Sequence, residues 1–246
     1  MPSSPKSCII MNKTNGKLYL IPTQLSDESV HVIPSYVKDI INTLDDFVVE
    51  NEKTARHFLK KSGYPKSLNE VRLSLLNEHT ASTEINALLK PLLDGKNLGL
   101  LSEAGCPAIA DPGAELVKAA HRNSIQVIPL VGPSSVILSL MASGLNGQSF
   151  SFHGYIPKER SARAKALKEM EKIALAKNQT QIFIEAPYRN QHLLEDILQT
   201  CNPETMLCIA CEITGTHEFI QTKSIGEWRK KVPAINKRPA IFLLGR

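Results

Sequence analysis

The chain has 246 residues, 42% of them hydrophobic and 22% charged, a balance that excludes a disordered tail, a collagen and a coiled coil. That length holds one large domain or two of roughly 100 to 150 residues. The net charge is +5 from 29 basic and 24 acidic side chains, and it is uneven: residues 1–130 carry 14 of each sign, residues 131–246 carry 15 basic against 10 acidic. An anionic partner or a solvated basic face accounts for such an excess.

Residues 1–16 are polar and read as a loose leader, without the long apolar core of a signal peptide. L-Y-L-I at 18–21, closed by Pro22, predicts a strand. Apolar residues at helical spacing predict a helix over 32–44, and F-V-V at 47–49 predicts a second strand. A helix over 54–61 should stop at Gly63, and another over 83–93 at Gly95. Strands follow at 98–101 and 127–128, with a helix between them that Asp111 and Pro112 open. Strands alternating with helices argue for a parallel sheet. Beyond Pro129 the pattern changes. A helix runs from Gly132 to Gly144, a strand over 150–155 and a long basic helix over 158–177, then strands at 181–184, 206–210 and 240–244. This half reads as a mixed sheet. The expected organisation is a leader over 1–16, an N-terminal α/β domain over 17–130 and a C-terminal α/β domain over 131–246.

The five cysteines, Cys8, Cys106, Cys201, Cys208 and Cys211, are scattered and odd in number, unlike a secreted disulfide framework. C-x-x-C at 208–211 has no second close Cys or His pair, so no metal is expected, and its apolar flanks read as a buried strand. No run of about 18 apolar residues exists, so no membrane span is expected and a cytoplasmic protein is.

The segment richest in chemistry is S-E-A-G-C-P-A-I-A-D-P-G at 102–113, between a buried strand and a helix start. In open parallel sheets, ligands sit at the carboxyl ends of strands. Gly105 and Gly113 let backbone approach a ligand closely, while Glu103 and Asp111 can accept hydrogen bonds from hydroxyl or amino groups. Two carboxylates repel an anion, and neither a P-loop nor G-x-G-x-x-G occurs, so phosphate is a poor fit. A ligand with a positive centre and hydroxyls suits the loop; so does a tight strand-to-helix turn with no ligand.

This segment resembles the S-D-A-G-T-P-x-I-S-D-P-G signature of the tetrapyrrole methylase superfamily, most closely its branch of small-subunit ribosomal RNA 2′-O-ribose methyltransferases. Other segments agree in order: G-K-L-Y-L-I-P-T at 16–23, E-N-E-K-T-A-R at 50–56, E-H at 78–79, P-L-V-G-P-S at 129–134, F-H-G-Y-I-P at 152–157 and E-A-P-Y-R at 185–189. The resemblance implies two α/β domains with S-adenosylmethionine (SAM) folded in the cleft between them, a homodimer, and RNA or the small ribosomal subunit as partner. Carried over by position, the cofactor candidates are Glu103, Ala104, Gly105, Ile109 and Asp111, then Ser134 and Ser135, Glu185 and Ala186, and Pro239 and Ala240. The pattern places Glu50, Lys53, Arg56, Glu78 and His79 near the cleft, and Glu50, Lys53, Arg56 and His79 are the catalytic candidates. Methyl transfer requires alignment of nucleophile, methyl and sulfur, and a ribose hydroxyl gains from a base or a polarising cation.

The chain departs from the branch's pattern in places. Its T-P-I-G-N-L-x-D-I-T loop is T-Q-L-S-D-E-S-V at 23–30, its D-T-R is N-E-K at 51–53, and its E-L-T-K is E-I-T-G at 212–215. The branch's usual small C-terminal extension is not expected after the last strand. The leading reading is a SAM-dependent methyltransferase acting on a ribose 2′-oxygen of ribosomal RNA; these departures motivate a second, a paralogue that binds SAM or RNA without catalysis or with altered specificity, and a third is a tetrapyrrole or other small-molecule methylase. Residues 158–177, with seven basic and three acidic residues, and residues 229–246, with six basic and none acidic, suit phosphates, and Trp228, Tyr155 and Tyr188 are available to stack on bases.

Overall fold

The computed structural model describes residues 14–77 and 80–246, so most of the expected leader, and Glu78 and His79, lie outside the described residues. Backbone contacts divide the chain into two units, Met1–Pro22 with Pro34–Val131, and Thr23–Ile33 with Gly132–Arg246. Residues 23–33, counted with the first domain in the sequence reading, thus group with the second unit. Local contacts explain why: Leu25 packs against that unit's core, and Thr214 donates to the Ser29 hydroxyl at 3.0 Å.

The first unit is built on β1 (Leu18–Ile21), α1 (Ser35–Ile41), β2 (Asp46–Val49), α2 (Glu52–Ser62), β3 (Arg72–Leu75), α3 (Ser82–Leu88), α4 (Lys90–Leu93), β4 (Leu98–Leu101), α5 (Gly113–Arg122) and β5 (Val127–Pro129). Its five strands pair in the order β3-β2-β4-β1-β5, and every pairing is parallel. β2 and β4 are buried along their whole length, as strands covered on both faces must be. Gly99 permits this packing, since a Cβ there would lie 2.6 Å from the Phe47 ring.

Two predicted helices are interrupted. The 32–44 segment is a single 3₁₀ turn, Val30–Val32, then α1, because Pro34 forces the preceding Ile33 into an extended conformation. The 83–93 segment breaks into α3 and α4 at Leu89, ahead of Pro91. α2 ends as expected, on Gly63 at φ 83°. Sequence periodicity missed β3, an edge strand whose residues are mostly exposed and so carry no apolar alternation.

The second unit holds α6 (Ser135–Ser143), β6 (Phe150–Tyr155), α7 (Arg160–Lys177), β7 (Thr180–Ile184), α8 (Asn190–Thr200), β8 (Met206–Cys211), β9 (Phe219–Ser224), α9 (Ile225–Lys230) and β10 (Ala240–Gly245). Its sheet, in the order β6-β7-β10-β8-β9, is mixed as expected: β6 and β7 are parallel, and the other neighbours antiparallel. One apolar cluster joins Leu167 and Met170 of α7, Leu194 and Ile197 of α8, Phe242 and Trp228; a second gathers Val136 and Leu140 of α6 against Ile182, Cys208 and Ile241. Cys208 and Cys211 are buried free thiols, and burial pushes Cys211 up to about 11, so they act as small apolar side chains.

Trp228, expected to be available for stacking, is instead 2% exposed and donates from its indole nitrogen to the Leu207 carbonyl at 2.9 Å. A buried indole needs that partner, and satisfying it fixes α9 on β8. Arg163 is likewise internal: its guanidinium grips Asp196, which also accepts from Arg160 at 2.9 Å.

Candidate functional site

The first unit brings its acidic candidates together through strand register. Val48 pairs with Leu100 and Val49 with Leu101, so Glu50 and Ser102 leave the sheet side by side at its carboxyl end. The Glu103 backbone N–H donates to Glu50 Oε1 at 3.2 Å, and the Thr54 hydroxyl lies 3.4 Å from Glu103 Oε1. Burial, then the neighbouring Asp111 charge, pushes the Glu50 carboxyl up to about 6. Burial also raises Asp111, although two backbone N–H groups oppose the shift.

The 102–113 loop is tightly determined. The Ser102 hydroxyl donates to the Gly105 carbonyl at 2.9 Å. Asp111 Oδ1 accepts from Ala108 N–H and Gly113 N–H, both at 2.8 Å, and so ties the loop to the start of α5. Gly105 has φ 78°, and Ala108 and Ala110 adopt left-handed values of 66° and 60° that cost non-glycine residues energy. Gly113 admits no side chain, as its Cβ would lie 2.8 Å from Asp111 Oδ1. Glu103, Ala104 and Ile109 stand exposed, and Ile109 is an exposed large apolar residue. Asp111 Oδ2 is buried with no hydrogen-bond partner among the described residues. An orphaned carboxylate oxygen costs free energy unless a donor completes it.

The remaining catalytic candidates divide. Lys53 is exposed in the first turn of α2. Arg56 is engaged structurally, donating to the Leu68 carbonyl and lying 3.4 Å from Glu52. His79 lies outside the described residues. Thr54 and Ser102 were missed as loop-building residues; their signal was only the hydroxyl at a strand or helix end.

In the second unit, Tyr155 pairs with Ile184, Ile184 with Ile241, and Ala240 with Cys211. Tyr155, Glu185, Pro239 and Glu212 therefore share one end of the sheet. Glu185 is 5% exposed; its Oε1 accepts from Ala186 N–H at 2.8 Å and from Arg189 at 2.5 Å. Glu185 Oε2, Arg189 Nε and Asn190 Oδ1 are buried without a hydrogen-bond partner among the described residues. The Pro239 carbonyl accepts from Glu212 N–H at 2.9 Å, and Arg238 bridges the Glu212 carboxylate at 3.1 Å and the His217 carbonyl at 2.8 Å. Ser134 caps α6 by accepting from Ile137 N–H, with Ser135 following as the first helical residue. Leu145, just past α6, is the side chain a Cβ on Gly245 would strike, which puts Ser134 and Ser135 at the far end of the helix from Gly245. No group of three or more His, Cys, Asp or Glu suited to a metal occurs among the described residues.

Comparison with known proteins bears on this geometry. The ribosomal RNA small subunit methyltransferase I of Vibrio cholerae is 33% identical over 220 residues, covering 88% of this chain and 73% of that protein. The chain belongs to the ribosomal RNA small subunit methyltransferase I family. Enzymes of the same name from Escherichia coli O157:H7 and Halalkalibacterium halodurans are 31% and 32% identical, across 88% and 82% of this chain and 72% and 66% of theirs. No family model matches the sequence. Among solved structures, the methyltransferase CobJ aligns over 94% of both chains with a TM-score of 0.63 at 15% identity. The uroporphyrin-III-C-methyltransferase of Thermus thermophilus aligns over 94% of this chain and 92% of that one, with a TM-score of 0.54 at 17% identity. At such identities the likeness establishes the fold, and it bears out the tetrapyrrole methylase-like α/β architecture expected from the motifs. Family membership makes the chain a methyltransferase. Among the described residues no helix is long and apolar enough to cross a membrane.

Proposed function

We propose that this member of the family transfers a methyl group from SAM to small-subunit ribosomal RNA, at a ribose 2′-oxygen. The RNA substrate is argued from what the family's relatives are named for. One observation carries the cofactor: Asp111 presents a buried carboxylate oxygen that has no hydrogen-bond partner among the described residues, next to the raised carboxyl of Glu50. Such a set suits a ligand that is cationic and rich in N–H and O–H donors, and SAM is both. Bound SAM supplies a methyl group already activated by its sulfonium.

In this reading the first unit's cofactor candidates are Glu103, Ala104, Gly105, Ile109 and Asp111, and the second unit's are Ser134, Ser135, Glu185, Ala186, Pro239 and Ala240. Glu50 accepts the hydroxyl proton of the ribose, a task served by a carboxyl held near working pH. Lys53 supplies a mobile cation for the RNA. Arg56 acts as a positioning residue, because its guanidinium holds the Leu68 carbonyl. His79 completes the catalytic set. A homodimer in the cytoplasm belongs to the same reading, and Ile137 and Met141, exposed one turn apart on α6, are apolar surface that a second copy would cover.

The deciding test is transfer of labelled methyl from SAM to small subunits that lack the modification. Incorporation is expected for the wild type, and its absence alongside normal SAM binding would favour the non-catalytic reading. Calorimetry checks the cofactor site separately. A cationic ligand favours ionised Glu50, so SAM affinity should rise with pH through about 6 and level off above it. Glu50→Gln should flatten that profile and also lower turnover by roughly 10²-fold or more. A pH profile identical in wild type and variant would remove Glu50 from the site.

A further inference from the structure

We propose that Tyr155, Tyr188 and Arg189 form a platform on which an unpaired base of the RNA substrate stacks. The proposal rests on the RNA-methylating reading above and assigns a recognition element that the reading lacks.

Tyr155 and Tyr188 are 61% and 62% exposed, large aromatic surface at the end of edge strand β6 and just past β7. Strand register explains their proximity. Tyr155 closes β6 opposite Ile184 at the end of β7, and the single turn Pro187–Arg189 that carries Tyr188 begins three residues after Ile184. Gly154, at φ 65°, sits in the register shift between Phe152 and Tyr155, an irregularity of the kind that re-aims a side chain at a sheet edge.

The third member is held in place. Buried Glu185 anchors the Arg189 guanidinium at 2.5 Å, the Tyr188 hydroxyl accepts from the same guanidinium at 2.8 Å, and the guanidinium carbon lies 4.9 Å from the centre of the Tyr188 ring. Both phenols lie close enough to act on the Arg189 charge. A guanidinium already anchored against an aromatic ring has little ordering entropy left to lose on binding. Charge complementarity points to a nucleic acid. One oxygen of Glu185 is held by Arg189, while Lys158 stands exposed three residues after Tyr155 and exposed Lys237 donates its backbone N–H to the Pro187 carbonyl at 2.9 Å. Aromatic faces flanked by mobile lysines are how single strands are held, the rings taking bases and the cations taking phosphates.

A nucleobase also occurs in the cofactor, and the experiment separates the two sources. A fluorescein-labelled 12-residue mixed-sequence oligoribonucleotide and an abasic oligomer of equal length are titrated into wild-type protein, Tyr188→Ala, Tyr155→Ala and Tyr188→Phe, with SAM affinity measured on each by calorimetry. Both alanine variants should bind the RNA roughly tenfold more weakly, and Tyr188→Phe within about twofold of wild type, since stacking needs the ring and not the hydroxyl. The abasic oligomer should not distinguish the variants, and SAM affinity should stay unchanged. In the methyl-transfer assay the alanine variants should raise KM for the subunit with little change in kcat. Unchanged RNA affinity in both alanine variants would overturn the platform while leaving wild-type methylation intact. A loss confined to SAM affinity would overturn it too and assign the rings to the cofactor's adenine.

Discussion

Ala108 and Ala110 hold left-handed backbone conformations that cost an L-residue about 1–2 kcal/mol each. They persist because Asp111 Oδ1 grips Ala108 N–H and Gly113 N–H at once. The strain lies in the loop that carries the cofactor candidates, which is where strained backbone tends to be retained. Ala108→Gly should leave thermal stability unchanged or raise it by up to about 1 kcal/mol, because glycine adopts this region freely. Ala108→Val should lower it by at least about 1 kcal/mol. Equal losses for both in thermal unfolding would count against strain at this position. Neither alanine announced itself in the sequence, since φ is set by the surrounding hydrogen bonds and not by the side chain. Asp111 was legible as a residue of the α5 start, although Pro112 takes the N-cap place and Asp111 reaches Gly113 N–H from one residue further out; its second oxygen, without a hydrogen-bond partner among the described residues, was not legible.

Helix α2 shows how an element positions a site. The Asn51 side chain accepts from Lys53 N–H at 2.9 Å and Thr54 N–H at 3.3 Å, and so fixes the helix start immediately after Glu50. The related branch carries Asp here, and Asn performs the same capping, which makes this departure physically mild. Asn51→Ala should cost about 1 kcal/mol in denaturant unfolding, whereas Asn51→Asp should stay within about 0.5 kcal/mol of wild type. Matching losses in the two variants would show that the cap is not what holds the helix. The two other departures meet in the second unit: a Cβ on Gly215 would come within 3.1 Å of the Ser26 hydroxyl, next to the Thr214 to Ser29 hydrogen bond. The altered first loop and the lysine lost at 215 are therefore one local change. Helix α7 was correctly placed by its periodicity, but two of its six cations serve Asp196.

Charge looks different at the scale of the whole molecule. Asp27 and Glu28 belong to the second unit, so the first unit carries 14 basic and 12 acidic residues, a net of +2, and the second carries 15 and 12, a net of +3. The imbalance read along the sequence is thus mostly removed by the chain excursion over 23–33. What remains is placement. Lys165, Lys168 and Lys172 are exposed along α7, while Arg163, Arg229 and Arg238 are occupied by Asp196, by the Leu198 and Cys201 carbonyls, and by Glu212. Replacing the three lysines with glutamine should lower the slope of log affinity against log salt for a single-stranded oligoribonucleotide by roughly 2. Arg163→Gln should leave that slope alone and instead destabilise the protein by about 3 kcal/mol or more, since it breaks a buried pair. A slope unchanged by the triple variant would exclude α7 from RNA contact.

The sequence by itself determined the elements and their class. Period-2 and period-3.6 apolar patterns, glycine stops and proline breaks depend only on local geometry, so most strands and helices, the parallel first sheet and the mixed second one were readable from it. Family membership was readable too, because the motifs lie in strand-end loops whose residues are adjacent in the chain. Tertiary structure decided what depends on neighbours distant in sequence. It brought Glu50 against Glu103 through the β2–β4 register, buried Trp228, enlisted Arg163 for Asp196, drew residues 23–33 into the second unit and set Tyr155 at the same sheet end as Tyr188. Charge and aromaticity are properties of a residue, but exposure and pairing are properties of the fold, and burial energetics reassigns the former according to the latter.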